Sequence, residues 1–301
     1  MIKYQDIIKD RDLRVKIIQC FGFIPDEYMI RLQYFIKAKR LLNLRHPKRY
    51  TEKIQWYKLY YRNPVMTICV DKHLVKDHIR KVLGEEYVIP ELFCWRTAEE
   101  IDFSIVPNNC VIKTNNGTGT NIFIKDKESV DFEKVRKQLS KWLNRPTKSA
   151  GREWAYDNVK PVLICEPVIP AVNQAGEGLD DYKFFCFNGK VVLKWIDYDR
   201  FVDHKRILYT AKGKRISVEC SYKSPKNFPY PKEAFEVLQP IAEKLAEGFP
   251  HVRVDLYYTG GKVYFGELTF YSGSGYEFFS SDKYDFKLGS YFNLPRKLVQ
   301  E

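Results

Sequence analysis

Residues 111–126 read VIKTNNGTGTNIFIKD: a strand ending in a lysine, a turn of glycines and small polar residues, then a second strand. The commonest phosphate-binding loops place their glycines between a strand and a helix, so that the helix N-terminus faces the anion. Here NIFIKD alternates apolar and polar residues, which is the period of a strand. The stretch therefore predicts a β-hairpin whose glycine-rich tip can fold over something, with Lys113 at its lip. An ordinary hairpin with a surface lysine is the plainer alternative.

On either side of this hairpin the chain alternates helices and strands. Amphipathic spacing predicts helices in YMIRLQYFIKAKRLL (28–42) and TEKIQWYKLYY (51–61), the second capped by Thr51. DKHLVKDHIRKVLG (71–84) predicts another, closed by Gly84. YVIPELFCW (87–95) reads as a strand, FEKVRKQLSKWLNR (132–145) as a helix, PVLICEPVI (161–169) as a short apolar strand and 170–181 as loop. YKFFCFNGKVVLKWIDYD (182–199) is a hairpin turning at Asn188-Gly189, the strongest short hairpin signal. PKEAFEVLQPIAEKLAEGF (231–249) is a helix that Pro240 either kinks or breaks, and VRVDLYYTGGKVYFGELTF (252–270) is a second hairpin around Gly260-Gly261.

The 301 residues are 45% hydrophobic, enough for one large domain or two lobes. No apolar run is long enough to span a membrane, and MIKYQDIIKDRDLRVK lacks the apolar stretch of a secretory signal. Seven scattered cysteines, never in a CxxC pair, read as reduced thiols, so the chain is expected to be cytosolic. The net charge of +12, concentrated early in IKAKRLLNLRHPKRYTEK, calls for an anionic partner. Nucleic acid lacks a supporting motif; a nucleotide, an anionic sugar chain or an anionic membrane surface fits equally.

Chemistry concentrates in the second hairpin. Asp255 and Glu267 sit among aliphatic and aromatic residues, near each other on neighbouring strands when counted from the turn. Carboxylates so placed are costly unless something positive compensates them. Arg253, two residues before Asp255, is one partner; a bound Mg²⁺, which favours oxygen ligands, is the other. Both readings stand on the residues alone.

Taken in order, these stretches resemble a family. A DK at a helix start, a strand lysine with a glycine-rich hairpin, a short apolar strand ending in Glu, and a hairpin carrying R-x-D and E-x-T follow the order of the ATP-grasp superfamily. RYTEKIQWYKLY, YVIPEL, EWAYDNVKPVLICE, DYKFFCFNGK, FPHVRVDLY and VYFGELTF are similar to the TupA-like, teichuronopeptide-biosynthesis type of ATP-grasp protein found in polysaccharide gene clusters. The resemblance implies an α+β ATP-grasp fold in which two lobes clamp the nucleotide. Its parts would be an N-terminal helical region (1–70), a small lobe with the glycine-rich flap (71–165) and a large lobe with the metal site (166–301).

The same resemblance assigns roles. Lys113 matches the strand lysine on the ATP phosphates, Lys72 a second lysine near the nucleotide, and the loop of Asn116, Gly117, Thr118, Gly119 and Thr120 the flap that closes over the phosphates. Glu166, Pro167, Val168 and Ile169 match the inter-lobe segment that reads the adenine edge, with Pro167 removing one donor. Lys183 matches a basic strand residue near the phosphates, and Arg253 lies near the transferred phosphoryl group. Asp255 and Glu267 match the Mg²⁺ ligands; Thr269, whose hydroxyl is a weaker metal ligand than an amide carbonyl, stands where the wider superfamily carries Asn.

The implied reaction is ATP-dependent carboxylate–amine ligation through an acyl phosphate, on a uronic-acid glycan or its precursor and an amine. A kinase on the same scaffold, and a non-catalytic nucleotide- or glycan-binding protein, are the rival classes. DYDRFVDHKR (197–206) offers Arg200, His204, Lys205 and Arg206 as a basic loop for an anionic acceptor, or simply as a solvated loop. Peripheral contact with the inner membrane face would suit the positive charge.

Overall fold

The computed structural model describes residues 20–145, 150–172, 178–200 and 202–298, so the helical expectation for the first 19 residues and part of the 170–181 loop lie outside it. Helix α1 (Asp26–Ala38) buries Met29, Ile30 and Tyr34 and stops short of residue 42, because Lys39 turns into the left-handed region at φ 57°. Helix α2 (Tyr50–Tyr60) starts before Thr51, which is not its cap. Glu52 instead accepts the N–H groups of Lys48 and Arg49 at 2.9 and 3.1 Å, and the Thr51 hydroxyl donates to Asp285 at 2.7 Å. A short helix α3 (Val65–Val70) follows, where the Asn63 side chain accepts from the Val65 N–H at 3.1 Å. Helix α4 (Val75–Val82) begins four residues later than expected, since Asp71 folds an Asx turn by accepting from the N–H of His73 and Leu74.

Only Phe93–Trp95 of the expected 87–95 strand pairs, as β1; Pro90 has no N–H to give a ladder. The opening hairpin forms as read: β2 (Cys110–Thr114) pairs antiparallel with β3 (Asn121–Ile124), Lys113 opposite Asn121. Helix α5 (Phe132–Leu143), capped by Asp131, and β4 (Leu163–Pro167) complete this half. The sheet order is β1-β4-β2-β3, and Leu139 of α5 packs with Ile112, Ile124 and Leu163 in a core of its own.

The second sheet contains β5 (Asp181–Phe187), β6 (Lys190–Tyr198), β7 (Lys205–Thr210), β8 (His251–Thr259) and β9 (Lys262–Thr269), ordered β7-β6-β5-β8-β9 and antiparallel throughout. Asn188 (φ 47°) and Gly189 (φ 75°) make the first tight turn, and Gly260 and Gly261 the second. Helix α6 (Lys232–Leu245) runs unbroken through Pro240; it lays Phe235 and Leu238 against one face of the sheet, where Tyr182 and Phe184 meet Phe235 edge-on. On the other face α2 covers Phe185, Phe187 and His251, with Tyr50 at the centre. The remainder of that face is charged. Helix α7 (Asp282–Tyr291) packs beside α2, held by the Thr51–Asp285 bond.

Candidate active site

Strand alternation decides which charges meet. From the Gly260-Gly261 turn, Thr259 pairs with Lys262 and Leu256 with Phe265. Unbroken register would set Asp255 opposite Gly266 and turn Glu267 to the opposite face. A bulge at Gly266 restores the match, so Asp255 stands opposite Glu267 and Arg253 opposite Thr269. Glycine is required there by close approach: a Cβ would lie 2.9 Å from the Asp255 carbonyl oxygen.

With the bulge in place, Arg253 bridges the carboxylates. Its Nε and Nη2 donate to the two Asp255 oxygens at 2.7 Å each, and Nη2 also reaches Glu267 Oε1 at 2.8 Å. Thr269 accepts from Arg253 at 3.1 Å and donates to Glu267 Oε1 at 2.8 Å. Next along the sheet, Lys183 is held between Asp181 and Asp255, 2.6 Å from each. Burial pushes the Asp255 carboxyl up to about 6 against the pull of Arg253 and Lys183, with Glu267 and Asp181 adding to the rise. Burial also acts on Glu267, but Arg253, Lys72 and Lys183 outweigh it and bring that carboxyl down to about 2. The guanidinium partner read as one alternative is thus realised.

The four-stranded sheet supplies the opposite wall. Glu166 of β4, 4% exposed, takes Lys113 on one oxygen and Lys76 on the other, the latter at 2.7 Å. Lys76, which the sequence reading missed, lies in the first turn of α4, four residues after Lys72; that i, i+4 spacing within the expected 71–84 helix was the signal available. Lys72 donates to the Gly117 carbonyl at 2.7 Å, and its N–H to the Asn115 carbonyl, so it tethers the flap. Burial holds the Lys72 ammonium below the usual lysine range, with Glu267 the largest opposing influence, so the two walls share one electric field.

The flap is anchored at its base and tethered at Gly117 by Lys72. Asn115 bonds the backbone of Lys160 and Val162, Thr114 and Thr120 share a hydroxyl contact at 2.7 Å, and the Asn116 carbonyl accepts from Thr114. Gly117 (φ 109°) and Gly119 (φ 73°) adopt backbone that side chains disfavour, on either side of Thr118. Among the described residues, the N–H groups of Asn116, Gly117 and Gly119 donate to no backbone acceptor. At the adjoining segment, the Val168 N–H is committed to the Asn109 carbonyl at 2.8 Å. It is therefore not a free donor, and Ile169 carries the next amide. Pro167 lies opposite Cys110 beside this bonded pair, so ladder alternation turns its nitrogen away from β2 and the proline costs no bond there.

The basic stretch 197–206 is not a solvated loop throughout. Arg206 belongs to β7 and is 5% exposed; it grips Asp197 at 2.6 and 2.9 Å, contacts Glu277 at 3.3 Å and stacks on Trp195. An arginine this thoroughly paired is no free anion hook. His204 lies 3.3 Å from Asp197 and stacks on Tyr222. Arg200 alone stays accessible, its side chain 36% exposed and 2.5 Å from Asp181. From Arg253, a relay of Ser272 and Glu277 runs to Arg206, and beyond it a cavity of about 290 Å³ is lined by Tyr222, Lys223 and Phe278 among others.

The donor set suits a hard cation. Asp255 and Glu267 offer oxygens only, both hydrogen bonds to Glu267 fall on Oε1, and its side chain is 38% exposed. Buried Asp181 keeps Oδ1 without a partner. A raised Asp255 carboxyl and an unpartnered carboxylate oxygen together describe a pocket short of positive charge, which Mg²⁺ would relieve.

A sequence profile described as TupA-like ATPgrasp matches residues 52–293. No curated protein sequence matches the chain. Among solved structures, a D-alanine–D-alanine ligase from Bacillus anthracis is similar at 14% identity and a TM-score of 0.40, covering 67% of this chain and 57% of that one. The corresponding ligase from Helicobacter pylori is similar at 18% identity and 0.40, over 76% and 62%. A phosphoribosylamine–glycine ligase from Thermotoga maritima is similar at 15% and 0.40, over 68% and 48%. The chain spans about half to three fifths of the length of these enzymes. Because the profile covers most of its 301 residues, the chain belongs to the TupA-like ATP-grasp family.

Proposed function

We propose that the protein is an ATP-dependent carboxylate–amine ligase that binds ATP between its two sheets. The observation that carries this reading is the opposition of two unlike walls: lysines 72, 76 and 113 beside a glycine-rich flap, and carboxylates 255 and 267 clasped by Arg253 and Lys183. The lysines and free flap amides would hold the phosphates, and the segment from Pro167 to Ile169 the adenine edge, with Val168 contributing contact rather than its amide. We place the small lobe at about 71–165 and the large lobe at 166–301, the residues before 71 forming a helical region.

Asp255 and Glu267, with Thr269 beside them, would hold Mg²⁺, which when bound supplies positive charge beside the transferring phosphoryl group. A substrate carboxylate oxygen attacks the γ-phosphorus, ADP leaves, and an amine then displaces phosphate from the acyl phosphate to give an amide. Arg253 and Lys183 stabilise charge on the transferred group, and the flap excludes water that would hydrolyse the acyl phosphate. The chain needs no nucleophile of its own, because position and electrostatics carry the chemistry.

The acceptor belongs to the side of Arg200, the cation for its carboxylate, and to the cavity beside Tyr222, where an aromatic ring, hydroxyls and the opposite charges of Lys223 and Glu219 suit a sugar. A uronic-acid glycan or its precursor fits this chemistry and the net charge of +12, which also suits contact with an anionic membrane surface. No helix among the described residues is long and apolar enough to cross a membrane. Product analysis tests the proposal: a ligase releases ADP and phosphate in equal amounts only with carboxylate and amine both present. A stable phosphorylated acceptor formed without amine would instead establish the kinase.

A further inference from the structure

Outside the site above, the fold gathers three side chains of different chemistry. The Asp71 turn delivers His73 at the entry to α4, β1 delivers Cys94, and Glu91 lies in the loop between. Phe93 and Trp95 pack into the core of the four-stranded sheet, so strand alternation turns Cys94 outward, where its thiol is exposed and reduced. His73 Nδ1 stands 3.0 Å from both Glu91 oxygens. One ligand atom from each of the three residues lies within 4.8 Å of the others.

We propose that His73, Glu91 and Cys94 form a site for a thiophilic divalent ion of the Zn²⁺ class, separate from the oxygen ligands Asp255 and Glu267. The donors decide the class: imidazole with thiolate selects Zn²⁺ over Mg²⁺, which takes oxygens. Ligands around one Zn²⁺ sit roughly 3.3–3.6 Å apart, as follows from its bond lengths. Rotations of the half-exposed His73 and the exposed Cys94 by about an ångström therefore close the set, with a water in the fourth position. The local field favours a cation, since Glu91 sets its carboxylate beside the thiol. Of the nearby cations, Lys76 is 4.0 Å from Glu91 and spends its charge on Glu166, while Arg96 follows Cys94 by two residues.

The position gives the ion a consequence. Val75 and Ile79 of α4 belong to the large core, whereas β1 belongs to the core of the four-stranded sheet. An ion on His73 and Cys94 staples these two cores beside Lys72 and Lys76, on the phosphate side of the cleft. Titrating the reduced full chain with Co²⁺ in excess Mg²⁺ tests the site, because a cobalt–thiolate bond has a near-ultraviolet charge-transfer band that oxygen sites lack. One equivalent should develop the band and Zn²⁺ should bleach it. Cys94→Ala and His73→Ala should remove it, Glu267→Gln should keep it, and Glu91→Gln should weaken Zn²⁺ binding in calorimetry at least about tenfold. Circular dichroism of each variant establishes that it is folded. The absence of a band in the wild-type chain, or a band that survives Cys94→Ala, overturns the proposal.

Discussion

The two sheets bury charge in opposite proportions. Around Glu166, two lysines share one carboxylate, and Lys72 stands by with the Gly117 carbonyl as its hydrogen-bond acceptor. In the five-stranded sheet, three carboxylates (Asp181, Asp255 and Glu267) surround Lys183 and Arg253, with Arg200 at the rim. Buried charge is costly unless compensated, so each wall advertises what it lacks. The lysine wall lacks anions and suits a polyphosphate; the carboxylate wall has an unsatisfied oxygen and suits a metal ion.

Breaking a fully paired member of the carboxylate-rich face should have the largest effect. Arg206→Leu strips Asp197 and Glu277 of their partner in a dry interior, so stability should fall by about 3–5 kcal/mol in urea unfolding. Arg200→Ala, at the rim, should cost within about 1 kcal/mol and raise the acceptor KM while sparing that for ATP. Equal losses in the two variants would erase the distinction between structural and available charge.

Glu267→Gln comes next. It keeps the shape of the side chain and removes one negative charge, so turnover should drop about 10²- to 10³-fold. The thermal midpoint should barely move, since Arg253 keeps both oxygens of Asp255. A collapse in stability with turnover intact would mean that the carboxylate wall is only an ion-pair cluster.

On the opposing wall, Lys113→Ala should weaken ATP binding about 10- to 100-fold by calorimetry, the loss of one charge-assisted contact. Glu166 retains Lys76, so the fold should survive. Unchanged ATP affinity would remove the lysine wall from the nucleotide site.

An effect confined to acid pH sharpens the contrast within one face. His251, beneath α2, lies between the Tyr50 hydroxyl and the Cys186 carbonyl, and burial pushes its imidazole down to about 3. The unfolded chain gains this proton near pH 6.5, the folded chain only near 3. Its contribution is therefore fully present above pH 6.5 and is lost as pH falls, by up to about 1.4 kcal/mol per unit. His251→Gln should flatten that part of the stability–pH curve; an identical slope in the variant would show that the imidazole already titrates in the folded state.

The chain by itself determined its hairpins, its amphipathic helices and the lysine at the flap. Turn residues such as Asn188-Gly189 and the period of NIFIKD act through neighbours a few positions away, so they are legible locally. Lys113, Arg253, Asp255 and Glu267 could be picked out because charge inside apolar alternation is visible in a string of letters. Tertiary structure decided how those charges meet. The Gly266 bulge, invisible to counting from the turn, puts Glu267 on the face of Asp255. Likewise, the burial of Arg206, the second lysine on Glu166 and the orphaned oxygen of Asp181 depend on residues far apart in sequence. Pairing between buried charges follows from which strands lie side by side and in what register, and those are set by packing the whole sheet rather than by any one of its strands.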